Sequence, residues 1–214
     1  WFDLAAAQGA DLVVLPEAIN QFKGDGPDNP EQQRLEDIAF DDWYSATAPL
    51  IEAAARNRSA VTIPVLTREQ EHFTNSFFLV GRDGNVVGQY CKCRPTPGEL
   101  AQGIRPGTPS IFHWEGLRIG GAICFDCYFP EVWDQQVAQG AQLFLMPSLT
   151  GGGTYLNFYA MHHGVPIILA YPAWSRIVDM TGQTITQIGY RSETLSFGFG
   201  SPIVMATLNF DRVS

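Results

Sequence analysis

The sequence predicts a layered α/β sandwich, and three observations carry that prediction. Short apolar runs of strand character outnumber amphipathic helical stretches, and the helices fall singly between them. One helix-to-strand design also occurs twice. Gly9-Ala10-Asp11 leads through Leu12, Val13, Val14 and Leu15 to Pro16 and Glu17, as Gly140-Ala141-Gln142 leads through Leu143, Phe144, Leu145 and Met146 to Pro147 and Ser148. The repetition predicts two similar sheet halves in pseudo-twofold relation, with Glu17 and Ser148 at matching strand ends.

The elements follow in order. Residues 2–8 form the last turns of a helix that Gly9 ends, and residues 12–15 form a buried strand closed by Pro16. Residues 20–31, rich in Gly and Pro, make a loop able to border a pocket. Asp41 and Asp42 suit the positive end of a helix dipole, and Trp43, Thr47, Leu50, Ile51 and Ala54 mark one face of a helix running to about Arg58. Residues 60–66, 76–80 and 86–91 are strands, the last entered through an Asp83-Gly84 turn. Strand alternation puts Cys91 and Cys93 on one face and Lys92 on the other. Residues 94–98, with Pro95 and Pro97, are expected to be irregular and to deliver Glu99.

Residues 111–114 and 117–123 make a hairpin that ends at Cys124, and residues 132–139 a helix stopped by Gly140. Strand 143–146, a mobile loop over 151–153, helix 155–163 and strand 166–171 come next. His162 and His163 are adjacent on that helix and point about 100° apart, so they do not share a metal ion readily. A hairpin of residues 176–178 and 183–188 precedes a final strand over 202–208.

Composition narrows the function. The 214 residues are 45% hydrophobic, enough for one compact domain with a substantial core. Thirteen basic against twenty-two acidic residues give a net charge of −9 without any basic cluster, which argues against nucleic acid or an anionic membrane as partner. No apolar run approaches the roughly 18 residues of a membrane span and no signal-peptide pattern is present, so a cytoplasmic protein with a small-molecule partner is expected. The four cysteines occur as Cys91-x-Cys93 and Cys124-x-x-Cys127, yet neither pair has the loop context of a zinc knuckle.

Cys124 sits where a strand gives way to a turn and Pro130 opens a helix. Such a corner projects a side chain from the sheet and aims free N–H groups at a developing negative charge. It also suits a small buried hydrophobe, and the stretch alone leaves both readings open. A thiol with an ordinary pKa of about 8.5 needs a base or a cation to act at neutral pH. Glu17 after one strand and Lys92 near the end of another supply both types.

The ordered motifs Leu15-Pro16-Glu17, Tyr90-x-Lys92, Ile123-Cys124-Phe125-Asp126 with Phe129-Pro130-Glu131, and Ile177-Val178-Asp179 with Gly182 resemble the nitrilase or carbon–nitrogen hydrolase superfamily over nearly the whole chain. The resemblance implies a four-layer αββα sandwich and subunits paired through helical faces, hence a homodimer or higher homo-oligomer. By that resemblance the family's opening strand would be lacking before Trp1, which would leave a neighbouring strand without a partner. By position, Cys124 is implied as nucleophile, Glu17 as general base and acid, and Lys92 as oxyanion stabiliser beside the N–H of Phe125. Glu99 matches the family's second Glu, which orients the Lys, and Phe125 and Ser148 are the candidate substrate-binding positions.

The implied reaction hydrolyses a non-peptide C–N bond through a thioester, with no metal or organic cofactor. Lys92-x-x-Pro95-Thr96-x-x-Glu99 resembles the nitrilase branch, whereas Cys124-Phe125-Asp126 resembles amidases; the nucleophile's neighbours weigh more, so an amide is favoured over a nitrile or N-carbamoyl substrate. Two rival readings stand beside this one. One is a non-catalytic binding module on the same fold; the other is a zinc or dithiol protein using the four cysteines.

Overall fold

The computed structural model describes residues 1–21, 34–189 and 203–211. Its first half holds helix α1 (Phe2–Ala7), strand β1 (Leu12–Val13), helices α2 (Leu35–Ile38), α3 (Trp43–Ala46) and α4 (Ala48–Asn57), strands β2 (Ala60–Glu69), β3 (His72–Val80) and β4 (Val86–Cys91), and helix α5 (Pro97–Ala101). The second half holds strands β5 (Ile111–Trp114) and β6 (Leu117–Gly121), helix α6 (Pro130–Ala138), strand β7 (Leu143–Pro147), helix α7 (Tyr155–His163), and strands β8 (Ile167–Ala170), β9 (Trp174–Val178) and β10 (Thr184–Gly189). Two sheets result, one in the order β1-β2-β3-β4 and one in the order β10-β9-β8-β7-β6-β5.

The sheets stack face to face between two layers of helices. On one outer side Phe2 of α1 and Ile51 and Ala54 of α4 pack on Val61, Ile63 and Val65 of β2 and on Phe78 and Val80 of β3. On the other, Trp133 of α6 lies 4.8 Å from the Phe144 ring of β7 and stacks on Tyr159 of α7. The alternation of β2 and β3 leaves Ala60, Phe77 and Leu79 for the space between the sheets, where they meet Phe112 and Ile119. Two neighbouring glycines of β6 mark how close the layers come. A Cβ on Gly121 would lie 2.5 Å from the Tyr90 ring, and one on Gly120 would lie 2.5 Å from Phe144, so β6 is thin on both faces. The four-layer αββα sandwich is thus the observed architecture. No described helix is long and apolar enough to cross a membrane.

Several expectations need correction. The helix expected from Trp43 to Arg58 is two, α3 and α4, because Pro49 lacks the N–H that would bond back along the turn and its ring crowds the preceding carbonyls. Residues 94–98 are not wholly irregular: Thr96 caps α5, Pro97 occupies its first turn, and Glu99 is a helical residue. Alternation does not carry past Cys91, where the ladder ends; Cys91 bonds to Ser76 at 3.2 Å and Cys93 receives the Tyr90 hydroxyl at 3.2 Å. The final strand expected over 202–208 is absent from 203 onward, and residue 202 lies outside the described residues. Ile203 to Leu208 instead line an apolar cleft of about 820 Å³ shared with Leu12, Val13 and Ile168, and a ladder needs strands about 4.8 Å apart. Among the described residues β1 stands at the edge of its sheet, with β2 as its ladder partner.

Asn20 belongs to a 3-10 turn, Ile19–Gln21, rather than to a loop, and residues 22–31 lie outside the described residues. The glycine loop expected to be mobile is fastened, since Arg176 donates to the carbonyls of both Gly151 and Gly153.

Candidate active site

Four of the six residues singled out in the sequence come together. Glu17, Lys92, Glu99 and Cys124 line one cavity of about 210 Å³ near the edge where the two sheets meet. Glu17 follows β1 and is carried into the molecule by the turn at Ala18, whose φ of 50° is unusual for a residue with a Cβ. Lys92 immediately follows β4, held by its N–H to Asn75 O at 2.8 Å and by its carbonyl, which accepts from Gly107 N at 2.8 Å. Glu99 is the third residue of α5, where it closes a capping box: its Oε2 accepts from Thr96 N at 2.7 Å while Thr96 Oγ1 accepts from Glu99 N at 3.2 Å. Cys124 begins the 3-10 turn Cys124–Tyr128 with φ of 48°, a left-handed corner that few non-glycine residues adopt.

These side chains form one charged cluster. Lys92 Nζ donates to Glu17 Oε1 at 2.8 Å and to Glu99 Oε1 at 2.9 Å, and Lys92 is 1% exposed. Glu17 Oε2 accepts from Leu149 N at 2.9 Å, which joins the end of the first sheet's unit to the end of the second's. Burial pulls the Lys92 ammonium down, but Glu17 first and then Cys124 and Glu99 outweigh it and hold the group well above its usual value. Burial likewise pushes Glu99 up, and Lys92 together with the Thr96 N–H brings it below the usual carboxylate range. The Cys124 thiol is pushed up to about 12, first by burial and then by the charge of the Glu17 carboxylate, with Lys92 and the Leu149 N–H opposing. Cys124 is therefore a neutral thiol at pH 7, and its proton has a carboxylate acceptor at hand.

The other two positions fare differently. Ser148 is fully buried and closes a local turn, donating to Thr150 O at 2.7 Å and accepting from Thr150 N at 2.9 Å, so its hydroxyl is committed away from the cavity. The next residue, Leu149, lines the cavity in its place. The Phe125 ring is not on the cavity wall; it packs edge-on against Tyr128 and Phe129. Only the Phe125 backbone, adjoining Cys124, remains as its contribution.

Asn75 is the site residue that sequence reasoning missed. Its Nδ2 donates to Glu17 Oε1 and to Glu99 Oε1, both at 2.8 Å, so it bridges the carboxylates that Lys92 also bridges. The amide's orientation follows, since its oxygen cannot face two carboxylates. A signal existed: Asn is depleted in strands, yet Asn75 stands inside the buried part of β3. The Thr96-x-x-Glu99 pattern is likewise a legible capping box. The rest of the described cavity wall is mixed: Leu35, Ile38, Leu66 and Ile104 form an apolar part from one small cluster, and Gln21, Thr96 and Gln102 add polar groups. Among the described residues no group of three His, Cys, Asp or Glu side chains is placed to hold a metal ion, and all four cysteines are free.

Known proteins resemble this chain over most of its length. The chain is 25% identical to a citrullinase of Francisella tularensis over 98% of its length and 77% of that protein. It is 26% identical to an (R)-stereoselective amidase of Pseudomonas sp. over 97% of its length and 69% of that protein. An apolipoprotein N-acyltransferase of Nostoc sp. is 26% identical over 86% of the chain, which spans only 39% of that longer protein. The crystal structure of an amidase from Nesterenkonia sp. superposes with a TM-score of 0.72 at 25% identity, covering 88% of this chain and 76% of that one. A family model described as carbon-nitrogen hydrolase matches residues 2–214, and the chain belongs to that family.

Proposed function

We propose that the protein hydrolyses a small, uncharged carboxylic amide to the acid and ammonia, through a thioester on Cys124. The observation that carries this reading is the convergence of Cys124, Glu17 and Lys92 on one cavity, with Lys92 Nζ 2.8 Å from Glu17 Oε1. Cys124 Sγ attacks the carbonyl carbon as its proton passes to Glu17, so no free thiolate has to form in the buried site. The oxyanion that develops is met by the Lys92 ammonium and the backbone N–H of Phe125. Glu17 returns the proton to the departing nitrogen and ammonia leaves. Water, deprotonated by the same carboxylate, then attacks the thioester, expels the sulfur and releases the acid.

The cavity supports the substrate class. Its 210 Å³ suits a short acyl group, and the Leu35, Ile38, Leu66 and Ile104 wall suits an aliphatic one. Among the described wall residues the only cation is Lys92, already engaged by two carboxylates, so nothing there is left to pair with a substrate carboxylate. The exposed apolar side chains of α7, Tyr155, Phe158 and Met161, support association with a second copy, which sedimentation of the purified chain tests.

The test of the chemistry is ammonia release across aliphatic amides, nitriles and N-carbamoyl compounds. Short aliphatic amides are expected to turn over, and Cys124→Ala to abolish release while its circular dichroism and melting temperature stay close to the parent's. Retained ammonia release in Cys124→Ala overturns the reading.

A further inference from the structure

Asp126 stands two residues beyond Cys124 and is fully buried, yet it lies outside the cavity and touches none of the reacting groups. Its carboxylate is filled by donors from two separate stretches. Oδ2 accepts from Ile123 N at 2.9 Å, from the Tyr90 hydroxyl at 3.0 Å and from Cys93 N at 3.4 Å; Oδ1 accepts from Arg94 N at 2.7 Å. Ile123 directly precedes Cys124. Cys93 directly follows Lys92. One buried carboxylate therefore ties the backbone on the near side of the nucleophile to the backbone on the far side of the ammonium, across the two sheets.

We propose that Asp126 is a positioning residue that sets the separation of Cys124 from Lys92 and holds Cys124 in its left-handed corner. Two features of the site require such a fastening. The corner at Cys124, φ 48°, persists only where its surroundings over-determine it, and the bond to Ile123 N pins the residue immediately before it. Lys92 lies beyond the last ladder residue, Cys91; its own backbone is held by Asn75 O and Gly107 N, and the bonds of Asp126 to Cys93 N and Arg94 N hold the two residues that follow it. The residue type follows from the donor count. Four N–H or O–H groups converge on both oxygens, whereas Asn offers one acceptor oxygen and would turn an NH2 toward donors.

The kinetic half of the test rests on the amidase reading; a second readout does not. In Asp126→Asn, kcat for a short amide is expected to fall about 100-fold with KM changed less than about threefold, the scale of a catalytic group displaced by about 1 Å. Labelling of Cys124 by iodoacetamide, followed at its own peptide against pH, is expected to slow in the folded variant and to shift its pH profile. Tyr90→Phe removes one of the four donors and should lower kcat and the labelling rate by about fivefold, the worth of a single hydrogen bond. A folded Asp126→Asn with parent kcat and parent labelling overturns the proposal. If Asp126→Asn does not fold, Tyr90→Phe decides, and unchanged labelling of Cys124 in that variant overturns it equally. Slowed labelling in Asp126→Asn, beside a parent protein that hydrolyses no amide, would leave the positioning role standing and remove the amidase reading alone.

Discussion

Lys92 shows how the cluster's electrostatics bind its members together. Lys92 is 1% exposed and its ammonium lies within 2.9 Å of an oxygen on each of two carboxylates, so the desolvation cost of three charges is offset only while all three are present. Lys92→Met keeps the length of the side chain and removes the cation, leaving Glu17 and Glu99 to repel across Asn75. Breaking a buried pair in this way costs about 3–5 kcal/mol, and urea denaturation of the variant should show a loss of that size. Adding Glu99→Gln to Lys92→Met removes one uncompensated charge, so the double variant is expected to regain part of the stability. Strict additivity of the two losses would mean that the carboxylates do not share the ammonium. Glu17, Lys92 and Cys124 were legible because each stands at a strand end in the order such chemistry needs. Asn75 was not, because what makes it a site residue is the register that sets Ser76 of β3 opposite Cys91 of β4, and pairing across strands is not written in either stretch alone.

At the scale of elements, α5 is short but decides where Glu99 points. Its N-terminal turn is fixed from both sides, by Thr96 Oγ1 on Glu99 N and by Glu99 Oε2 on Thr96 N, and the other oxygen of the same Glu99 carboxylate is then presented to Lys92. Thr96→Ala is expected to cost about 1 kcal/mol in thermal unfolding, the usual worth of a helix cap, and to lower kcat because Glu99 loses one of its two anchors. Thr96→Ser should restore both. A variant that loses stability with no change in kcat would show that Glu99's anchoring does not matter to the site. The strand-to-turn corner at Cys124 and the order of the strands could be anticipated, since apolar runs and turn residues are local signals. The break at Pro49 was also local, but the helical spacing of Leu50, Ile51 and Ala54 masked it. Residues 203–208 illustrate the opposite limit: their composition suits a strand, and whether they pair depends on a facing backbone that a cleft keeps away.

The whole molecule keeps three of its thiols out of bulk water, with consequences for its alkaline stability. Burial is the first cause in pushing Cys93, Cys124 and Cys127 up to about 12; the negative charges of Asp126 and Glu17 add to it. In the unfolded chain each thiol titrates near its ordinary value of about 8.5. Below that pH both states keep the proton and the groups contribute their full stabilisation. Between about pH 8.5 and 12 the unfolded state gives up protons that the folded state retains, so stability falls as pH rises, by up to about 1.4 kcal/mol per pH unit for each thiol. Cys127 provides the discriminating variant, because it is buried, lies off the cavity wall and has no part in the proposed chemistry. Cys127→Ala leaves a small void and should lower the urea midpoint at pH 7, yet the midpoint should then decline less steeply from pH 8.5 to 11 than in the parent. Parallel declines would show that this thiol titrates alike in both states, and that the surroundings of Cys127 admit more water than their packing implies.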